Sequence, residues 1–418
     1  MKTMTLLILT FWCQVILGQH QFDQDSLGAV HPFLHLESNT LILPGDTAGW
    51  TSFFCRIRQL ARDSAGRLEV MHLGGSHVQG GSMSRQIRYR FAALVGDSTG
   101  GSPGFFFLYP LAGTNSPREI RASSTTPWQG SRSVKRDQPS PFGLSGVSAR
   151  TDRAYDMVDL HYMDADTATF TGVRIFGRSL QANYTLAPLG WSCPDTIVSD
   201  SMAGFQQWTW SEPQRLLSFQ ILPATPTMQD TFVLQGIQYL HPGSRLIFDQ
   251  VGANGASLAS TLRCEGLAAQ LQFVTPDLVI LGIGVNDANV PNGEFRADRF
   301  QAGYDSLLTL FRTARPDVRF IFLTNNDTYY KRRQPNRNAL AVREAMKELA
   351  IRWNACIWDQ FEVMGGLGSI HAWHKAGLAK RDRLHFTPAG YTLIANLFMD
   401  AVEHTMASCC PPPTTAQP

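Results

Sequence analysis

Arg67-Leu68-Glu69-Val70-Met71-His72-Leu73 runs directly into Gly74-Gly75-Ser76-His77, and this stretch decides the architecture of the chain around it. The first seven residues read as a buried strand that ends at the two glycines. A helical pattern follows over residues 79 to 95, with Ile87, Phe91, Leu94 and Val95 at core spacing. The second half repeats the alternation. Strands are expected at Leu246 to Val251, Pro276 to Gly282, Val318 to Thr324 and Cys356 to Asp359. Helices are expected at Ala259 to Phe273, Asp298 to Arg315, Arg337 to Trp353 and Ala389 to His404. Strands alternating with helices of this length predict an α/β fold with a parallel sheet covered on both faces.

Residues 111 to 240 break the rhythm. They are rich in Ser, Thr, Gly and Pro and carry short alternating runs such as Thr169 to Phe176 and Thr231 to Gly236. No long amphipathic helix is visible there, so a mostly β, sandwich-like insert is expected. The α/β domain is then discontinuous, over 30–110 and 241–408. Residues 409–418, with Cys409, Cys410 and three prolines, read as a flexible tail.

At 418 residues the chain is long enough for two such units. A net charge of +2 supplies no field that would recruit nucleic acid or an anionic membrane. Lys2, the apolar run Met4 to Leu17 and Gly18 read as an export signal over residues 1–18. That run is shorter than the about 20 residues of a comfortable membrane span, and no later segment is longer, so no transmembrane segment is expected. Gln19 stands where a lipoprotein signal would place cysteine. The expectation is an exported protein, periplasmic or extracellular. Once Cys13 leaves with the leader, Cys55, Cys193, Cys264, Cys356, Cys409 and Cys410 remain, with spacings that fix no pairing. No CxxC pair points to structural zinc.

Three further blocks carry chemistry. Ser76, between strand and helix, falls at the carboxyl edge of the sheet, where open α/β folds bind ligands. A plainer reading is a helix N-cap. Asp382-Arg383-Leu384-His385 precedes the last helix, and its spacing lets the carboxylate reach Nδ1 while Nε2 faces Ser76. Alone, it is a common surface pair. Asn286 ends the most apolar strand, in Gly284-Val285-Asn286-Asp287, where a buried amide needs a partner. An oxyanion donor or an Asx turn would each explain it. Gly255, in Gly252-Ala253-Asn254-Gly255-Ala256, either brings its N–H to a substrate or makes the turn. Together these are the parts of a serine esterase. Ser76 is the nucleophile, His385 the base and Asp382 its support. The Ser76 and Gly255 N–H groups and the Asn286 amide form the oxyanion hole. No metal or cofactor is called for. His371 and His374, with His385, lack the tighter logic of a zinc site. Trp191, Trp208 and Trp210 of the insert would stack on sugar rings or, more commonly, fill its core.

The blocks around Ser76, Gly255, Asn286 and His385, in this order, resemble the SGNH hydrolases, or GDSL esterases and lipases. Asp382 matches the aspartate of that family's Asp-x-x-His block. The resemblance covers roughly residues 30 to 110 and 240 to 405. It implies a flavodoxin-like three-layer fold, no metal and a Ser–His–Asp mechanism. Gly113-Thr114-Asn115, the Gly255 block and His385-Phe386-Thr387-Pro388-Ala389-Gly390-Tyr391 look like exported bacterial members with an inserted β domain. Those are similar to enzymes that remove O-acetyl groups from peptidoglycan or other polysaccharides.

One position departs from the family, because Gly75 stands where an aspartate usually precedes the nucleophile. Gly96-Asp97-Ser98-Thr99 holds the literal Gly-Asp-Ser, yet it follows a helix-like stretch and leads into a loop, so context favours Ser76. The expected activity is removal of acyl groups, foremost O-acetyl, from a polysaccharide or cell-wall glycan. Rival expectations are a glycan-binding protein on a decayed hydrolase scaffold and a lipase or thioesterase of the same fold. Asn183-Tyr184-Thr185 and Asn326-Asp327-Thr328 are glycosylation sequons that matter in a eukaryotic host.

Overall fold

The computed structural model describes residues 24–63, 66–138, 140–163, 169–190 and 193–411. The leader expected at 1–18, Trp191 and residues 412–418 of the expected tail lie outside them.

Seven strands form the central sheet: β1 (Leu41–Ile42), β2 (Leu68–Gly74), β3 (Ser102–Pro103), β4 (Leu246–Gly252), β5 (Leu278–Gly282), β6 (Arg319–Leu323) and β7 (Cys356–Trp358). Their order is β1-β7-β6-β5-β2-β4-β3. Every pair is parallel except the edge pair β1 and β7, so the sheet is mixed rather than wholly parallel. The run β4-β2-β5-β6-β7 has the 2-1-3-4-5 order of a flavodoxin-like sheet, with its switch point between β2 and β5.

Helices cover both faces: α1 (Thr47–Leu60), α2 (Ser76–Gln79), α3 (Ser82–Leu94), α4 (Ala297–Ala314), α5 (Asn338–Trp353) and α6 (Pro388–Cys409). Alternate strand residues feed two separate cores. Val70, Ile280 and Ile321 pack with Trp50, Ile87, Phe91 and Phe398. Met71, Leu281 and Phe322 pack with Tyr304, Leu308, Val342 and Met346 on the opposite face. Each such side chain contributes about 1.5–3 kcal/mol of burial, which is why these strands are apolar on both alternations.

The insert forms two antiparallel sheets around a third core. One has four strands, including Met157–Tyr162 and Leu216–Pro223. The other has seven, including Phe170–Ser179 and Phe232–Leu240. Val158, Leu160 and Phe219 of the first face Val173, Ile175 and Ile237 of the second. Trp208 and Trp210 are buried in that core, so they fill it rather than present rings to a sugar.

Four expectations need correcting. Phe105–Phe106 already pairs with Phe232–Leu240, so pairing with the insert's sheet starts before residue 111. The single helix expected over 259–273 is two short ones, Leu258–Thr261 and Leu267–Leu271, with Gly266 N–H tied to Phe142 O at 2.9 Å between them. Cys409 ends α6 and Cys410 is disulfide-bonded to Cys55, so the tail is anchored at its first two residues. Asn326 is buried and spends its amide on Asp327 O and Leu384 O, which rules out a glycan there.

Candidate active site

β2 delivers Ser76 to the carboxyl edge of the sheet, beside the switch point, and Gly75 caps the short helix that begins with it. The helix can lie this close to β4 because residue 252 is glycine. A Cβ there would stand 2.4 Å from the Gln79 backbone nitrogen. Ser76 Oγ lies 2.8 Å from His385 Nε2, across 309 positions of sequence. His385 Nδ1 lies 2.8 Å from Asp382 Oδ2.

The Asp382 loop is built to hold that geometry. Arg383 takes the left-handed conformation (φ +51°), which turns the chain back on itself between the acid and the imidazole. Asp382 Oδ1 accepts from Leu384 N–H at 3.1 Å and His385 N–H at 3.0 Å. Burial alone would raise this carboxyl's pKa. Hydrogen bonds from the His385 ring and from these two backbone groups outweigh it and hold the group below its ordinary value. Asp382 therefore stays ionised and keeps Nδ1 protonated, leaving the Nε2 lone pair for Ser76.

Asn286 comes from the turn after β5, and its amide donates to Ala256 O at 2.9 Å. A Cβ at position 75 would come within 3.2 Å of that amide nitrogen, so Gly75 leaves room for Asn286 beside the serine. Gly255 has φ +83°, which suits glycine. Among the described residues, the N–H groups of Ser76 and Gly255 have no hydrogen-bond acceptor. All five expected site residues thus gather at one edge of the sheet.

The literal Gly-Asp-Ser lies elsewhere. Asp97 accepts from the N–H groups of Arg245 and Leu246 at the start of β4, so this block caps a turn at the opposite end of that strand.

Residues 237–393 match the GDSL-like Lipase/Acylhydrolase family. A peptidoglycan O-acetylesterase structure is similar over 88% of this chain and 99% of its own, at 19% identity and a TM-score of 0.67. Residues 237–393 therefore resemble that family, and the chain shares the fold of the O-acetylesterase. The chain has that fold with additional, mostly antiparallel sheets. An acetyl esterase (19% identity, 40% of this chain and 76% of that one, TM-score 0.29) also overlaps it. So does a carbohydrate esterase family 3 enzyme from Talaromyces cellulolyticus (18% identity, 40% and 76%, TM-score 0.29). Both overlaps are too slight to carry an argument. No curated protein sequence matches the chain.

Sequence reasoning passed over several residues that line the same edge. His77 Nδ1 bonds the Tyr391 hydroxyl. Gln79 is buried. It donates to Asn115 O at 2.7 Å and accepts from Asn254 N–H at 2.6 Å. Through it, the start of the insert is fastened to the loop that carries Gly255. The Gly113-Thr114-Asn115 block was the available signal, since a short polar turn at the insert's entrance has no packing reason to be there.

Proposed function

We propose that the chain removes acyl groups, foremost O-acetyl, from a polysaccharide through an acyl-enzyme. The observation that carries this reading is the continuous hydrogen-bonded line from Ser76 Oγ through His385 to Asp382. Ser76 Oγ attacks the acyl carbon while His385 Nε2 takes its proton. The negative oxygen that forms is met by the Ser76 and Gly255 N–H groups and the Asn286 amide. The carbon–oxygen bond to the sugar then breaks, and His385 returns the proton to the leaving hydroxyl. Water, deprotonated by the same imidazole, attacks the acyl carbon, the bond to Ser76 Oγ breaks as His385 returns the proton to that oxygen, and the carboxylic acid leaves. Asp382 stabilises the imidazolium throughout without taking its proton.

The peptidoglycan O-acetylesterase likeness, which covers 88% of this chain, supports an acetylated glycan as substrate. The Cys55–Cys410 disulfide supports export to an oxidising compartment, periplasmic or extracellular. Among the described residues no helix is long and apolar enough to cross a membrane.

The test is acetate release by purified enzyme from O-acetylated peptidoglycan and acetylated xylan, side by side. Ser76→Ala should lower kcat by a factor of about 10⁴ or more, and Asp382→Asn by a comparable factor. Full-rate release by Ser76→Ala would overturn the assignment. So would failure of a fluorophosphonate to label the wild-type serine.

A further inference from the structure

We infer that one bank of the active site is a carboxylate-binding subsite, so that the acylated polysaccharide is an anionic one. This rests on the esterase reading above and narrows it.

Two segments build the bank. The first is a small hairpin, Tyr329–Tyr330 paired with Gln334–Pro335, whose tip is Lys331-Arg332-Arg333. The second is the loop Lys380-Arg381-Asp382-Arg383 that leads to His385. They are joined to each other. Tyr329 N–H donates to Arg383 O at 3.0 Å, and the Arg383 guanidinium lies 4.9 Å above the Tyr329 ring. The hairpin is therefore fastened to the loop that carries the imidazole.

Lys331, Arg332, Arg333, Lys380 and Arg381 are exposed. None of them, nor Arg383, has an ion-pair partner among the described residues. The only acid from Thr328 to Ala341, or from Val363 to Met399, is Asp382, and that carboxylate is spent on His385. Several arginines of the α/β domain, by contrast, are ion-paired. Arg90 meets Asp400 and Glu403, Arg343 meets Asp359 and Glu362, and Arg315 meets Asp277. In a chain with a net charge of only +2, six cations without an ion-pair partner among the described residues are gathered on the loop that carries His385 and on the hairpin bonded to it.

The backbone adds a second argument. Lys331 and Arg332 both hold positive φ, +49° and +61°. A hairpin turn of this kind is made at less cost by Asn or Gly. Two long cations in that conformation carry strain that a merely connecting turn would not need. Exposed guanidinium and ammonium groups at a site mouth concentrate anionic substrates and hold carboxylates in place. The carboxylate can sit on the sugar ring or on a pendant peptide.

The test compares kcat/KM for acetate release from O-acetylated polygalacturonate, O-acetylated peptidoglycan and neutral acetylated glucomannan, with p-nitrophenyl acetate as a small ester. The variant is Lys331→Asn/Arg332→Gly/Arg333→Asn, which removes three charges yet places turn-forming residues at the strained positions. On at least one carboxylated polymer the variant should lose about tenfold more than on glucomannan, and the wild-type preference should fade as salt is raised. Whichever polymer loses more locates the carboxylate on ring or peptide. Equal losses on charged and neutral polymers would overturn the inference while the esterase reading stands. If no ester is turned over, the esterase reading falls, and affinity electrophoresis through polygalacturonate decides the subsite alone. Retardation of wild type but not of the variant supports it. No retardation, or stronger retention by RNA or by phosphatidylserine vesicles, overturns it.

Discussion

His77 Nδ1 sits 2.8 Å from the hydroxyl of Tyr391, and the His77 ring lies against that of His385 with centroids 5.4 Å apart. The residue after the proposed nucleophile is thus held by the first turn of the closing helix, next to the proposed base. Burial, with the His385 charge second, lowers the His77 pKa to about 3. A neutral ring in that place adds no positive charge to oppose the imidazolium that forms on His385. Removing its partner with Tyr391→Phe leaves a buried ring nitrogen unsatisfied and should cost about 1–3 kcal/mol of stability. Denaturant unfolding measures this, and a variant as stable as wild type would contradict it.

Asn286 holds its amide between Ala256 O and the serine turn. Asn286→Asp keeps the size of the side chain but removes the donor, so kcat should fall by about 10²–10³ with little change in KM. The measurement is steady-state kinetics on p-nitrophenyl acetate. A change confined to KM would mean that the amide serves binding and not the oxyanion.

Asp249 supplies a pH dependence that has nothing to do with catalysis. Burial pushes its carboxyl up to about 8, against the hydrogen bond it accepts from Phe105 N–H at 2.6 Å. Its folded pKa lies above its unfolded value of about 4, so the folded state holds the proton more tightly. Stability must then fall as pH rises from about 4 to 8 and level off above that. Asp287, raised to about 7, and Asp327, raised to about 6, act in the same direction for the same first cause. Asp249→Asn keeps an oxygen facing Phe105 N–H without the ionisation. Its Tm should exceed wild type at pH 8 and approach it near pH 4. A pH slope as steep as wild type's would sink this account.

The α/β frame was legible because its strands are buried on both sides. Val70 and Met71 belong to different cores, and each had to be apolar. The insert was legible through alternation, as in Met157–Tyr162, where outward and inward residues take turns. What escaped notice depended on partners far away in sequence. Leu262, Leu267 and Leu271 keep helical spacing, but Gly266 is drawn to Phe142 of the insert, and the helix breaks there. Phe105–Phe106 looks like part of the first unit until Ile237 and Gln238 pair with it. The site blocks could be picked out because each carries its own local turn chemistry. His77 and Tyr391 could not, since neither shows by itself that the other exists.

The bond between Cys55 and Cys410 joins residues 355 positions apart, one in the first helix that covers the sheet and one just past the last. Everything from Ser76 to His385, insert included, lies on a covalent hoop. A protease that cuts once within the β sandwich opens the hoop but releases no fragment. Such a nicked molecule would run as one species on a gel without reductant and as two with it, and Ser76 and His385 would remain tethered through the break.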